Sequence, residues 1–290
     1  MNPTNRKRLC LIIALALVCL ALSAVASGTE GNMNYDQHDA DRLRAFLEQD
    51  SGDGVSNGRQ ISPSYRPDDP ATWSGVNWSD NGRVASINWG WFLSLGGDLD
   101  LSGLDEMRTL DCSYNNITTL DLTGCDKLFM LKCSSNQLNK LELSGCGWLS
   151  NVYCDNNLLE GLDLSGKTDL RTLQCQVNRL TELDLTGCEK LSYFDCSSNS
   201  LTDLDLSELS NLTELYTSKN LLRTISVNSE NLSPSAATVI AQDGNAIALE
   251  TVQTEDGLRL RAMARAGAGY VFTEWSDDNG EPARAFPFTI

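Results

Sequence analysis

The chain has 290 residues, of which 39 are acidic and 22 basic, giving a formal charge of −17, and 41% of them are hydrophobic. That apolar content excludes a chain disordered throughout. The acidity excludes nucleic acid and anionic membrane surfaces as partners, because such a charge repels both. In chain order, the first element is an export signal. Arg6, Lys7 and Arg8 precede an uncharged apolar run from Leu9 to Leu22, and Ala24-Val25-Ala26 then supplies the small residues a signal peptidase requires. The run of 14 residues is short for a bilayer, so residues 1–26 read as a secretory signal peptide. Cys19 follows Val18 rather than a small residue, which argues against a lipoprotein signal. Cleavage leaves 19 basic against 39 acidic residues, a charge of −20. The mature chain is expected outside the cell or on its surface, without membrane insertion.

Residues 28–88 form the next unit, an N-terminal cap. The spacing of Leu43, Phe46 and Leu47 predicts a helix from Asp39 to Glu48 with one apolar face. The polar stretch Asp50-Ser51-Gly52-Asp53-Gly54 lacks the length and closing glutamate of a calcium loop. Trp73-Ser74-Gly75-Val76-Asn77-Trp78, a turn at Asp80-Asn81-Gly82 and the run Arg83 to Ile87 then predict a hairpin. Its tryptophans are read as a shield for the first coil of the repeats that begin at residue 89, with sugar stacking by Trp73 and Trp78 as the rival reading.

From residue 89 to about 230 the chain repeats with a period of 21. Cys112, Cys133, Cys154, Cys175 and Cys196 share a column that Thr217 continues. Asn115, Asn136, Asn157, Asn178, Asn199 and Asn220 fill a second column without a break. Three further columns are aliphatic, headed by Ile117, Leu120 and Leu122, and Trp89, Leu99 and Leu101 are placed on the same register. One coil cannot bury its apolar face alone, so coils must stack into a shared core. Each coil opens with a short strand whose alternate residues, such as Leu131 and Cys133, point inward. The asparagine turns the chain out of the strand and can satisfy backbone groups of its own and adjacent coils. Gly124, Gly145, Gly166 and Gly187 supply the bend on the return side. Glu208 and Ser229 then replace glycine, as expected of a terminal coil.

The consensus L-x-x-L-x-C-x-x-N-x-L resembles the leucine-rich-repeat signature, with cysteine in place of the third leucine. The resemblance implies a leucine-rich-repeat solenoid, a right-handed α/β-type superhelix with short parallel strands and a mostly irregular or 3-10 return side. The W-x-G-V-x-W run and the G-R-V-x-x-I run resemble the hairpin that precedes many bacterial and plant repeats of this kind.

Three readings compete for the eight cysteines of the mature chain, which include a second column of Cys125, Cys146 and Cys188. No local C-x-x-C cluster supports zinc. Disulfides between stacked coils are conceivable at a strand spacing of about 4.8 Å, but side chains aimed into a packed core suit buried free thiols best. The column Asp121, Glu142, Asp163, Asp184 and Asp205 points outward between two leucines. Either calcium bridges these carboxylates, or each accepts hydrogen bonds from its own turn; the second reading is preferred.

Residues 233–290 change character. Leu258, Leu260, Ala262 and Ala264 alternate with polar residues, and Asp243-Gly244, Asp256-Gly257 and Asn279-Gly280 mark turns. The segment resembles the internalin-type B-repeat, a small β module of bacterial surface proteins, through Gly269, Tyr270, Phe272 and Trp275. That pattern would run on past Ile290, which implies a longer chain.

No active site is expected. His38 is the one histidine, no nucleophile is placed beside it, and the cysteines face the core, where thiols are inert. No cofactor and no metal are expected. Binding remains. The outward strand positions Lys132, Tyr153, Gln174, Tyr193, Asp195 and Tyr216 are the candidate contacts on the concave face, with tyrosines favoured at hot spots. The ligand is read as a protein or glycan and the protein as a monomer. The internalin-like resemblance implies adhesion or host interaction. A non-catalytic accessory region of a larger secreted enzyme and a carbohydrate-binding module are the alternatives.

Overall fold

The computed structural model describes residues 34–91 and 94–222 in full, with the backbone of 224–226, 238–239, 246–254 and 257–265. The signal peptide and Gly269, Tyr270, Phe272 and Trp275 lie outside the described residues.

Helix α1 (Gln37–Leu47) starts where Asp36 accepts a hydrogen bond from the Asp39 amide at 3.1 Å, and it buries Ala40, Leu43, Phe46 and Leu47. This is the expected apolar face, extended at the N-terminus because Asp36 is the cap. Asp39, also buried, accepts from Arg83 Nε and Nη2 at 2.9 Å each and from the Val84 amide at 2.8 Å, which ties the helix to the hairpin. The short helix α2 (Asn57–Ile61) is anchored by Asn57. Its amide donates to the carbonyls of Phe46 and Gly96, and its oxygen accepts from the Gly96 amide.

Strands β1 (Val76–Trp78) and β2 (Val84–Asn88) form the expected antiparallel hairpin. The chain continues through β3 (Gly96–Asp100), β4 (Thr109–Asp111), β5 (Asn116–Asp121), β6 (Met130–Lys132), β7 (Asn151–Tyr153), β8 (Thr172–Gln174), β9 (Tyr193–Asp195), β10 (Asp203–Asp205), β11 (Glu214–Tyr216), β12 (Thr224–Ser226) and β13 (Thr238–Val239). A nine-stranded sheet runs β1-β2-β4-β6-β7-β8-β9-β11-β13 and is parallel from β2 onward. The register from β4 to β11 advances by one coil per strand, pairing Leu110, Leu131, Val152, Leu173, Phe194 and Leu215. On the opposite edge of the coil, parallel pairs form near the two ends, β3 with β5 and β10 with β12. Strands β14 (Ala246–Thr254) and β15 (Gly257–Arg265) pair antiparallel, so the alternating segment after Gly257 is a strand as its pattern predicts. The protein is a leucine-rich-repeat solenoid.

One element of the predicted register needs correction. Ile87 pairs with Leu110, and the Trp89 amide donates to the Asp111 carbonyl as Cys112 does to Lys132. Trp89 therefore stands in the cysteine column, two residues off the 21-residue count, whereas Leu99 pairs with Leu120 on the count. The hairpin, not a repeat, sets the start of the sheet. Trp89 is fully buried and stacks on Phe46 at 5.4 Å, closing the open end of the core with ring area that a thiol lacks.

The core is continuous from the cap to Leu215. All eight described cysteines are buried and unbridged. Burial pushes the thiols up, Cys125 to about 12 and Cys146 and Cys188 to about 11. Lys167 occupies the vacant place in the second cysteine column and is buried with it. Gly124, Gly166 and Gly187 take positive φ at the return bend. Gly145 does not, but a side chain there would come within 3.0 Å of the Gly124 amide nitrogen.

Candidate binding face

Each concave strand buries its middle residue and turns its two neighbours outward, a consequence of strand alternation across a one-sided core. Asp111, Lys132, Tyr153, Gln174, Asp195 and Tyr216 form one outward row, and Met130, Asn151, Thr172, Tyr193 and Glu214 lie beside it. All six candidate contacts are half-buried and share this face. They gather into two groups. In the first, the Lys132 ammonium lies 5.9 Å above the Tyr153 ring and 3.9 Å from Asp111. In the second, the rings of Tyr193 and Tyr216 meet at 5.6 Å, and Tyr216 Oη donates to Glu214 at 3.2 Å. Partial burial raises the Tyr193 phenol, while a hydrogen bond with Gln174 opposes that rise. The Tyr216 phenol is raised as well, by desolvation and by its hydrogen bond to Glu214.

The next row inward on the face was not anticipated. Ser113, Ser134, Asp155, Gln176 and Ser197 come directly after the cysteines, and their polar groups are mostly spent on the fold. Asp111 and Asp195 accept from the amides of Ser113 and Ser197 at 3.1 and 3.0 Å. Asp155 accepts from the Ser134 hydroxyl and from Asn156 Nδ2. Beyond that row, Tyr114, Ser135, Asn156, Val177, Ser198 and Lys219 all hold φ between 53° and 59°. This is the left-handed region, costly for residues with a Cβ and most so for β-branched Val177.

What holds these turns is the asparagine ladder. Asn157 Nδ2 donates to the carbonyls of Cys133 on the preceding coil and Cys154 on its own, and Oδ1 accepts from the Leu138 amide at 3.0 Å. Asn115, Asn136, Asn178, Asn199 and Asn220 repeat both kinds of contact. The ladder is thus structural and faces the core rather than a ligand.

Four of the five residues of the acidic column are also committed to the backbone, and the fifth, Glu142, instead pairs with Lys140 at 2.7 Å. Asp121, Asp163, Asp184 and Asp205 each accept from the amide two residues on, at 2.8 to 2.9 Å. Hydrogen bonds from Thr123, Ser165 and Thr186 hold Asp121, Asp163 and Asp184 below the usual carboxylate range. Among the described residues the one group with metal-ligand spacing is Asp36, His38 and Asp39. There Asp39 is already consumed by Arg83 and the Val84 amide.

The tryptophans are placed differently from the sugar-stacking alternative. Trp73 is 3% exposed and its indole N–H donates to the Arg66 carbonyl at 2.8 Å, so it offers a sugar no face. Trp78 is half-buried against Tyr35 and Trp73. The open indoles are Trp91, stacked on Tyr114 at 3.7 Å, and Trp148. Among the described residues no helix is long and apolar enough to cross a membrane.

No family model matches the sequence, and no curated protein matches it. Solved structures do. The functional domain of InlJ from Listeria monocytogenes, described as including a cysteine ladder, is 22% identical over 60% of this chain and 55% of that one, with a TM-score of 0.40. Internalin C2 from Listeria monocytogenes is 20% identical over 71% of this chain and 93% of that one, with a TM-score of 0.41. The ectodomain of the Arabidopsis receptor kinase HAESA is 20% identical over 68% of this chain and 41% of that one, with a TM-score of 0.43. This chain spans little more than half the length of the InlJ domain and less than half of the HAESA ectodomain. At these scores the likenesses carry nothing about ligand or activity, and the fold stands on the coils themselves.

Proposed function

We propose that the protein is exported through residues 1–26 and binds a protein ligand, outside the cell or on its surface, through the concave face of residues 89–230. Residues 28–88 cap the solenoid, and residues 233–290 form a separate β module in this reading. The observation that supports it is the pairing of half-exposed rings on rigid strands: Tyr193 against Tyr216, with Tyr153 beneath Lys132. Tyrosines held in place by a sheet lose little freedom on binding and present both apolar area and a hydroxyl. Around them Lys132, Gln174 and Asp195 supply polar contacts that fix orientation. The mechanism is surface complementarity without chemistry.

The test is capture from extracellular and cell-surface extracts by residues 28–290, beside a Tyr153→Ala, Tyr193→Ala, Tyr216→Ala variant whose fold is checked by circular dichroism. A partner held by the parent and lost by the variant supports the reading. Equal capture by both refutes the concave face as the site.

A further inference from the structure

One flank of the solenoid departs from its neighbours. The residue just ahead of each concave strand forms a column in which each amide donates to the carbonyl one coil earlier: Phe129 to Arg108 at 2.8 Å, Ser150 to Phe129 at 2.9 Å and Arg171 to Ser150 at 2.8 Å. Two positions earlier in each coil, Lys127 pairs with Glu106 and Lys190 with Asp169, both at 2.6 Å. Trp148 stands between these two ion pairs, on the coil they skip. Its indole is 61% exposed, and Phe129 on the preceding coil is 46% exposed. On the coil of Trp148, Gly147 has nothing within 4 Å of its missing side chain, and Ser150, which stands in the Phe129 column, is buried. Trp148 thus stands open where the coils on either side carry paired charges, and Phe129 is exposed in the neighbouring column one coil earlier.

Their surroundings select a partner. Arg108 and Arg171 are exposed and bracket the rings along the column, and neither has a carboxylate within 4.0 Å among the described residues, since Glu106 and Asp169 are bridged by the lysines. Asp126, three residues ahead of Phe129, is an exposed carboxylate near that ring in the chain. Arg108 and Arg171 act on Glu106 and Asp169 only through space, without an ion pair, so both guanidiniums keep their donors for a further carboxylate beside exposed aromatic area. Guanidinium favours carboxylate, and the rings favour an apolar side chain. Arg108 and Arg171 are three coil steps apart, roughly 14 Å at a strand spacing of about 4.8 Å. An extended peptide covers that distance in about four residues.

We propose that this flank is a second docking surface, separate from the concave face, for an acidic peptide segment of a partner protein. Two carboxylates about four residues apart close on Arg108 and Arg171, and an apolar side chain between them lies on Phe129 and Trp148.

The experiment is fluorine NMR on the full chain labelled with 5-fluorotryptophan, with the Trp148 resonance assigned from a Trp148→Phe variant. The probe is the capped pentapeptide Glu-Leu-Phe-Gly-Glu, with Lys-Leu-Phe-Gly-Lys as its charge-reversed control. The expected result is a saturable shift of the Trp148 signal alone among the six tryptophans. Arg108→Glu with Arg171→Glu should weaken the response by about tenfold or more, and the lysine peptide should leave the signal in place. The concave variant Tyr153→Ala, Tyr193→Ala, Tyr216→Ala should respond like the parent. No shift at millimolar peptide, an equal shift with the lysine peptide, or indifference to the arginine changes overturns the proposal. Loss of the shift in the concave variant also overturns it, by moving the site to the other face. A Trp148 signal that moves with protein concentration but not with peptide overturns it in favour of a second copy of this chain.

Discussion

Replacing Asn157 with alanine tests whether the ladder, rather than the leucine columns alone, fixes the turns. Asn157 sits in the middle of the solenoid and is 6% exposed. Its Oδ1 is the acceptor for the Leu138 amide, and its Nδ2 is one of two donors to the Cys133 carbonyl, the other being Asn136. The Cys154 carbonyl is likewise shared between Asn157 and Asn178. Alanine therefore orphans one buried N–H, at about 1–3 kcal/mol, and weakens two carbonyls at about 0.5–1 kcal/mol each. The expected loss is about 2–5 kcal/mol, read as a fall in the urea midpoint. Asn157→Asp separates the parts. It restores the acceptor for Leu138 but removes both donors and sets a carboxylate against two carbonyl oxygens, so it should destabilise more than alanine. Amide exchange at Leu138 should accelerate with alanine and not with aspartate in the still-folded fraction. A loss under about 0.5 kcal/mol with unchanged Leu138 exchange would refute the reasoning, and so would an aspartate variant as stable as the parent.

Further outcomes are expected. The eight buried thiols should ignore a thiol reagent in the folded protein near pH 8 and all react in guanidinium. Because burial raises them above their unfolded values, their contribution is complete below about pH 8.5 and is lost as pH climbs toward the values of about 11 for Cys146 and Cys188 and about 12 for Cys125. Urea midpoints measured across that range should therefore fall, and a flat profile would contradict the burial. Asp121, Asp163 and Asp184 are held below their ordinary values, so their contribution is present above about pH 4 and disappears as pH falls through their folded values. Millimolar calcium should leave the melting temperature unchanged, since the four aspartates already serve their own turns and Glu142 pairs with Lys140; a rise of several degrees would revive the bridging reading. Val177→Gly should raise stability by about 1 kcal/mol, the relief of a left-handed β-branched residue at about 1–2 kcal/mol less the chain entropy of glycine at about 0.5–1 kcal/mol, and a loss in the urea midpoint would show that φ 57° is not strained there.

The solenoid was legible because its columns answer to a single constraint repeated on every coil. A residue in the position of Leu131, Cys133 or Asn136 has one environment, and the chain offers that environment at each period. What escaped the count has no such repetition. The lock between Asp39 and Arg83 joins residues 44 apart in a cap that occurs once, and Asn57 reaches Gly96 across 39 residues for the same reason. The left-handed column was invisible for a different cause. No glycine marks it, since the backbone bonds of each turn, such as Tyr114 to Ser134 at 2.8 Å, and the neighbouring asparagine hold the conformation whatever side chain is present. The two-residue slip at Trp89 belongs with the cap, because the hairpin supplies the strand there and the repeat has not begun.

The binding face was legible only as a direction. Alternation places Tyr153, Tyr193 and Tyr216 on the outside, but whether rings meet depends on which outward row each occupies and on the step between coils. Tyr193 and Tyr216 are in different rows of adjacent strands and touch across them, whereas Tyr153 meets Lys132 instead. Tryptophan gave the opposite difficulty. Trp73 and Trp78 sit in a motif that draws attention, yet Trp73 serves the interior. Trp148 sits at a turn position where the period tolerates anything, and its ring is open to solvent. An exposed aromatic carries meaning here in proportion to what the same column holds elsewhere. Glutamate, lysine, aspartate and lysine occupy the place of Trp148 on four other coils and bond in two separate pairs, so the indole stands as an uncharged interruption on the coil between them. That interruption, not the mere presence of a tryptophan, is the physical reason to look for a ligand on the flank as well as in the concave sheet.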